Sequence, residues 1–261
     1  RDKLVTGVQT CALPICRYQT NLAQTYIRLG DAPRAEQMSR EAIRTLTPGN
    51  VSDLPTAYTS LCRALSDQAE EIDSLAACRQ AVAAAQQSSN KADEARARNQ
   101  LASTFFHFDR NREALEQYMQ SLSLAEQTGQ KLGAAFVKNN IGNIFDSQGN
   151  YPLALRYYQE SLAAKKESGT LLDQISSLGN IALVYVRTDR VAEAEEAFRT
   201  VLAACDTLKN AGCRSVNLFN LGVLQTGHGK LAEAEANIRE ALQNTDPITS
   251  IGMRINLRSE E

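Results

Sequence analysis

One spacing governs this chain. A large aliphatic residue followed by a small one recurs at Leu22-Ala23, Leu61-Cys62, Leu101-Ala102, Ile141-Gly142, Ile181-Ala182 and Leu221-Gly222, which by subtraction gives intervals of 39, 40, 40, 40 and 40 residues. Thirteen residues beyond each aliphatic stands a small side chain, at Ala35, Ser74, Ala114, Ala154, Ala194 and Ala234. Seven further on come Ala42, Ala81, Ser121, Ser161, Val201 and Ala241, each followed by an aliphatic: Ile43, Val82, Leu122, Leu162, Leu202 and Leu242. Columns held in one frame over six copies restrict the chain to a repeat architecture, in which each unit buries its apolar face against its neighbours.

Within a copy, apolar positions fall three, four and seven apart and a breaker divides the halves, so each unit reads as two helices. In the fourth copy Val137, Ile141 and Phe145 form one stripe and Leu153, Leu155, Tyr158 and Leu162 the next, with Ser147-Gln148-Gly149-Asn150 between them. Gly149 shares its column with Gly30 and Gly229, which take the left-handed conformation that ends a helix, and with Asp109 and Asp189, which tolerate it better than most residues. Small residues where two helices cross let the backbones approach closely; a bulky side chain at Gly142 or Ala154 is expected to push them apart. The second copy has Leu65 and Ala69 where others carry an aromatic and a Gly or Asp, and the sixth has Gln225 in the aromatic column, so both are expected to be looser.

A content of 43% hydrophobic and 22% charged residues suits a soluble folded chain. A formal charge of -2 and a pI near 5.9 give no electrostatic reason to expect nucleic acid or an anionic membrane as partner. Charged side chains interrupt every apolar segment well short of the roughly 20 residues a membrane-spanning helix needs. The run Val5 to Ile15, VTGVQTCALPI, resembles the translation of a short-read sequencing adapter, and Arg258 to Glu261 resembles the opposite arm. Residues 1–16 and 258–261 are therefore expected to be non-native, leaving 17–257 as a piece of a longer protein. Its repeats are placed at about 17–48, 54–88, 94–129, 134–169, 174–209 and 214–245, followed by the start of another.

The copy NNIGNIFDSQGNYPLALRYYQESL, Asn139 to Leu162, resembles the tetratricopeptide repeat in its series of aliphatic, Gly, aromatic, Gly, Tyr, Ala, aromatic and small residues. The 40-residue period resembles the longer-helix subclass found in kinesin light chains, cell-polarity adaptors and bacterial sensory arms. That resemblance implies an all-α fold, an α-solenoid of about six helix-turn-helix repeats wound as a right-handed superhelix. It also implies that the first helix of every pair lines a concave groove for an extended peptide or a partner helix.

Amides recur on the first helices. Asn21, Gln100, Asn140, Asn180 and Asn220 share one column, with Asn99, Asn139 and Asn143 within a turn of it. An amide side chain donates and accepts as a peptide unit does, so such a ladder suits an extended chain; the same side chains could equally bridge adjacent helices. Arg17, Arg63, Arg96 and Arg187 project from first helices, where they would select an acidic peptide or a C-terminal carboxylate, or stand as solvated surface. Phe106, His107, Phe136 and Phe219 fall off the main core stripe and read either as groove patches or as packing between repeats.

No catalytic residue, metal site or cofactor is expected. His107 and His228 lie far apart without ligands at a recognised metal spacing, and there is no phosphate-binding glycine loop or nucleophile elbow. Glu193, Glu195 and Glu196 read as a solvated face of a second helix. Cys62 and Cys78 occupy small or core columns of one repeat and read as buried thiols, with pairing open in an oxidising compartment; Cys205 and Cys213 flank a loop and could pair there. The expected function is a protein or peptide interaction scaffold that is not an enzyme, without nucleic acid, membrane or small-molecule partners, and the cytoplasm is the favoured compartment. The alternative is the sensory arm of a bacterial signalling protein with a cyclase, kinase or transcription-regulator output elsewhere.

Overall fold

The computed structural model describes residues 3–46 and 52–243, with side chains from Pro14 onward. Among these residues the chain forms twelve α-helices and no strand: α1 (Lys3–Arg28), α2 (Ala32–Thr45), α3 (Leu54–Asp67), α4 (Glu71–Gln87), α5 (Lys91–His107), α6 (Asn111–Gln127), α7 (Lys131–Ser147), α8 (Tyr151–Ser168), α9 (Leu171–Arg187), α10 (Val191–Thr207), α11 (Ala211–Gly227) and α12 (Leu231–Gln243). The all-α fold of consecutive helix pairs is the one the repeat columns require. The beginning of a further repeat and the segment 258–261 lie outside the described residues. α1 begins within the 1–16 segment set aside above and holds Pro14 inside it. The fold divides into two compact units, Arg1–Ile144 and Phe145–Glu261.

In all six repeats the turn column adopts positive φ: Gly30 at 73°, Ala69 at 60°, Asp109 at 57°, Gly149 at 72°, Asp189 at 55° and Gly229 at 73°. The residue after each donates its N–H back to the carbonyl of the aromatic column, as Asp31 does to Tyr26 and Glu70 to Leu65, closing the helix end. Ala69 thus keeps a turn that its Cβ opposes, at a cost of about 1 kcal/mol.

In the first unit, α1 packs on α2, α3 on α4 and α5 on α6, and the first helices α1, α3 and α5 also pack on one another in that order. Ala23, Cys62 and Ala102 at the crossings are fully buried. Tyr118 on α6 is 2% exposed and shares a 2.9 Å hydrogen bond with the Ser103 hydroxyl. Burial pushes its phenol up to about 12, with the Ser103 contact opposing. Arg34 lies over the Tyr26 ring at 5.7 Å and Arg110 over Phe105 at 4.7 Å, which fastens each turn to the column ahead of it. Cys62 and Cys78 form a disulfide that ties α3 to α4, with their Cα atoms 5.0 Å apart, so of the two states open from sequence the bonded one is realised. Cys16 is free and buried beside Ala42, Leu46 and Ala57.

In the second unit, α9 packs on α10 and α11 on α12. Phe198 fills the crossing beside Ala182, while a Cβ added to Gly222 would meet Ile238 Cγ1 at 2.5 Å, the close approach the small column predicts. Gln225, 5% exposed in the aromatic column, accepts from Asn237 Nδ2 at 2.7 Å and donates to Glu233 at 3.0 Å. A polar network thus replaces the missing ring. Two junctions stand out. Between α8 and α9, the fully buried Lys165 donates to the hydroxyls of Ser176 at 3.1 Å and Ser177 at 2.9 Å. Between α10 and α11, Cys205 and Cys213 form a second disulfide, Cα atoms 5.7 Å apart.

Candidate functional site

The face shared by the first helices of the first unit carries three hollows. The central one, about 410 Å³, combines apolar Ala95, Ala125, Leu132, Phe136 and Val137 with polar Thr59, Arg96, Asn99, Gln100 and Gln130. A second, about 270 Å³, lies among α1, α3 and α5 and shares Thr59 and Arg96 with it. A third, about 330 Å³, shares Gln100 and adds Arg63, Ser66, Asp67, Ser103, Phe106 and His107. Shared walls make the three contiguous along α3 and α5. The helical period explains the placement: Thr59, Arg63 and Ser66 lie three or four apart on α3, as Arg96, Gln100 and Ser103 do on α5.

Asn99, which lines the central hollow, belongs to an amide pair. Asn140 of α7 donates through Nδ2 to Oδ1 of Asn99 on α5 at 3.1 Å, so a helix-to-helix bridge is present. The bridge uses one donor and one acceptor. Asn99 keeps its NH₂ and Asn140 keeps its Oδ1, both on half-buried side chains. Gln100 donates weakly to Thr104 Oγ1 at 3.5 Å and keeps its carbonyl oxygen for the hollow.

The other candidate residues separate. Asn139 is only 7% exposed, which corrects its expected place on the groove: it lies on the side of α7 that carries the buried Ala135 and Gly142. Asn21 is exposed on α1 and Asn143 is half-buried on α7, and neither lines these hollows; Asn180 and Asn220 are half-buried in the second unit, on α9 and α11. The expected cations are not free. Arg63 Nε bonds both carboxylate oxygens of Asp67 at 2.9 and 3.1 Å, Arg96 pairs with Asp93, Arg187 with Asp146, and Arg17 with Asp53 at 3.2 Å. All four acids are first-helix residues or the N-cap of one, so the elements that present an arginine also present its counter-ion. Exposed pairs of this kind stabilise by at most about 1 kcal/mol but cancel the local charge.

Phe136 is 38% exposed and lines the central hollow, whereas Phe219 is 6% exposed and packs with Leu218 and Ala241. Phe219 therefore takes the packing alternative, because α12 covers it. Thr59 and Gln130 went unnoticed in the sequence, although Thr59 stands four before Arg63 on the same helical stripe. Among the described residues no group of three or more His, Cys, Asp or Glu could hold a metal ion, and no helix is long and apolar enough to cross a membrane.

A family model described as tetratricopeptide repeat matches residues 95–167 and 173–245, and a second with the same description matches 16–46. Curated protein sequences give no match. Among solved structures, BtubC (BKLC) from P. vanneervenii is similar with 20% identity and a TM-score of 0.69, over 88% of this chain and 90% of that one. A Rap protein complexed with competence and sporulation factor gives 12% identity and a TM-score of 0.71, over 95% of this chain and 77% of its own. A signal transduction ATPase with numerous domains, with a tetratricopeptide repeat sensor, from Pyrococcus horikoshii gives 16% identity and a TM-score of 0.65, over 91% of this chain and 40% of that one. At such identities the likeness is one of fold.

Proposed function

Because the chain belongs to the tetratricopeptide-repeat family, we propose that it is a non-catalytic interaction scaffold that holds an extended peptide segment of a partner protein along α3, α5 and α7. The half-used amide pair beside an apolar hollow carries this reading. Asn99 and Asn140 together keep N–H donors and an acceptor oxygen beyond their bridge, which a peptide unit of opposite sense can use, and the central hollow lined by Asn99 accepts an apolar side chain. An extended chain rises about 3.3 Å per residue, so neighbouring side chains fall into successive hollows while the backbone stays near the amides. The ion-paired arginines argue for a peptide of little net charge over an acidic one. Nucleic acid and small-molecule substrates are not part of this reading, since no unpaired basic stripe lines the hollows.

Selection from a random peptide display library on the immobilised chain tests this. Enriched peptides should share an apolar residue, and their binding should fall at least tenfold with Asn99→Ala plus Asn140→Ala and with Phe136→Glu. Enriched peptides that bind both variants unchanged would remove the site. A second reading, in which the array is the sensory arm of a larger signalling protein, draws on its likeness to 40% of a signal transduction ATPase chain with a tetratricopeptide repeat sensor. On that reading the bound peptide is the signal.

A further inference from the structure

The second repeat fills its core differently from the four repeats that follow it. In the fifth and sixth the crossing of the two helices sets a small residue against a large one: Ala182 with Phe198, and Gly222 with Ile238. Tyr118 and Tyr158 occupy the same second-helix column and are buried. In the second repeat that column holds Cys78, the small column holds Cys62, and the two sulfurs are bonded. No ring fills the space, so the covalent tie takes over what side-chain volume does in the four repeats that follow, whereas the first repeat has the small Ser39 here. The same repeat also carries Ala69 at the left-handed turn. It is the copy with most to gain from a cross-link.

The Cys62–Cys78 bond also stands behind the candidate site. Both sulfurs lie against the fully buried Thr104 hydroxyl, at 3.3 and 3.6 Å, and Gln100, shared by two hollows, donates to that hydroxyl. Thr59 and Arg63, which line hollows, flank Cys62 on α3. Opening the bond would put two thiols, whose sulfurs need van der Waals separation, into space that now holds a covalent pair. α3 would shift against α5.

We propose that both disulfides are permanent parts of this fold and that the array matures and works in an oxidising compartment, not in the reducing cytoplasm. Each bond closes by exchange with the disulfide of an oxidoreductase: two cysteine thiols lose two protons, two electrons pass to the enzyme's disulfide, and that enzyme leaves as its dithiol. The inference does not depend on what the hollows bind.

The full chain, produced in a bacterial host with and without a cleavable export signal, tests it. Thiols are trapped in acid, the chain is denatured and alkylated, and the adducts are counted by mass. Of six cysteines four lie in the bonds, so the exported chain should carry two adducts and the retained chain six. The retained chain should also be cut by thermolysin at least about tenfold faster under native conditions, because cleavage tracks the open population. The variant Cys62→Ala plus Cys78→Ala should reproduce part of that loss in the exported chain. An exported chain with more than two adducts, or a fully reduced chain as resistant as the oxidised one, overturns the proposal.

Discussion

The junctions α8–α9 and α10–α11 place different chemistry at equivalent points of the repeat. Forty residues separate Lys165 from Cys205, and forty separate Asp173 from Cys213. At the later junction the two positions are joined covalently. At the earlier one they are not joined: Asp173 closes a capping box with Thr170, while Lys165 turns inward to Ser176 and Ser177. Burial brings the Lys165 ammonium down to about 8, with Asp173 opposing through its charge. The Thr170 backbone and hydroxyl hold the Asp173 carboxyl below its ordinary range, so that acid is already committed elsewhere. The loops differ as well. Lys209 takes a positive φ of 50°, whereas Gly169, in the same column, is extended at φ −110° and follows a helix one residue longer than its neighbours. A repeat position thus fixes burial, and the residue there decides whether the junction is closed by a bond or strained by a charge.

Exchanging the contents of the columns should break the contrast most strongly. Cys205→Lys with Cys213→Asp removes a loop closure of eight residues, which contributes about 2.5 kcal/mol, and buries an ammonium with no serine pair opposite. A combined loss of about 3–5 kcal/mol is expected in urea unfolding. A loss under about 1 kcal/mol would mean the two columns are interchangeable.

Second comes a pH effect confined to the earlier junction. The native Lys165 pKa lies below its unfolded value, so between about pH 8 and 10.5 the unfolded chain binds more protons and stability rises with pH. The gain approaches about 3 kcal/mol at the upper end. It should appear as the difference in unfolding midpoint between the parent and Lys165→Met across that range, which subtracts other groups titrating there.

Lys165→Met itself should stabilise the chain at pH 7 by about 1–2 kcal/mol, since Leu46, Ala85 and Ala125 fill this column elsewhere and burying an ammonium is costly. Calorimetry would show a raised Tm; an unchanged or lowered Tm would mean that the serine hydroxyls compensate the ammonium in full. The smallest effects concern the loops. Lys209→Gly should gain about 0.5–1 kcal/mol by relieving a left-handed side chain. Gly169→Ala should be neutral or gain a few tenths of a kcal/mol, because its extended backbone suits any residue.

The helix pairs, their turns and the small crossings were legible in the sequence because each repeats in a column, and even Ala69 obeys the column against its own preference. Side-chain partners were not legible to the same degree. For the first-helix arginines the sequence leaves selection of an acidic peptide and solvated surface both open, because the acids beside them come partly from a neighbouring helix. The amide column contained both of its weighed outcomes: Asn140 bridges to Asn99 and still leaves hydrogen-bonding capacity at the hollow. Lys165 lies in a polar stretch of sequence, although its column neighbours Leu46, Ala85, Ala125 and Cys205 mark the position as interior. Disulfide pairing depends on Cα separations between helices, which no single-chain spacing supplies.

The Cys62–Cys78 bond has a mechanical corollary. The linked positions are sixteen residues apart in sequence, and the chain between them cannot be drawn out while the bond is closed. At about 3.3–3.6 Å per extended residue, that withholds about 50 Å of contour length from a chain pulled at its ends. Stretched in an optical trap, the oxidised array should unravel with one shortened step at its second repeat, and a reductant should restore the missing extension.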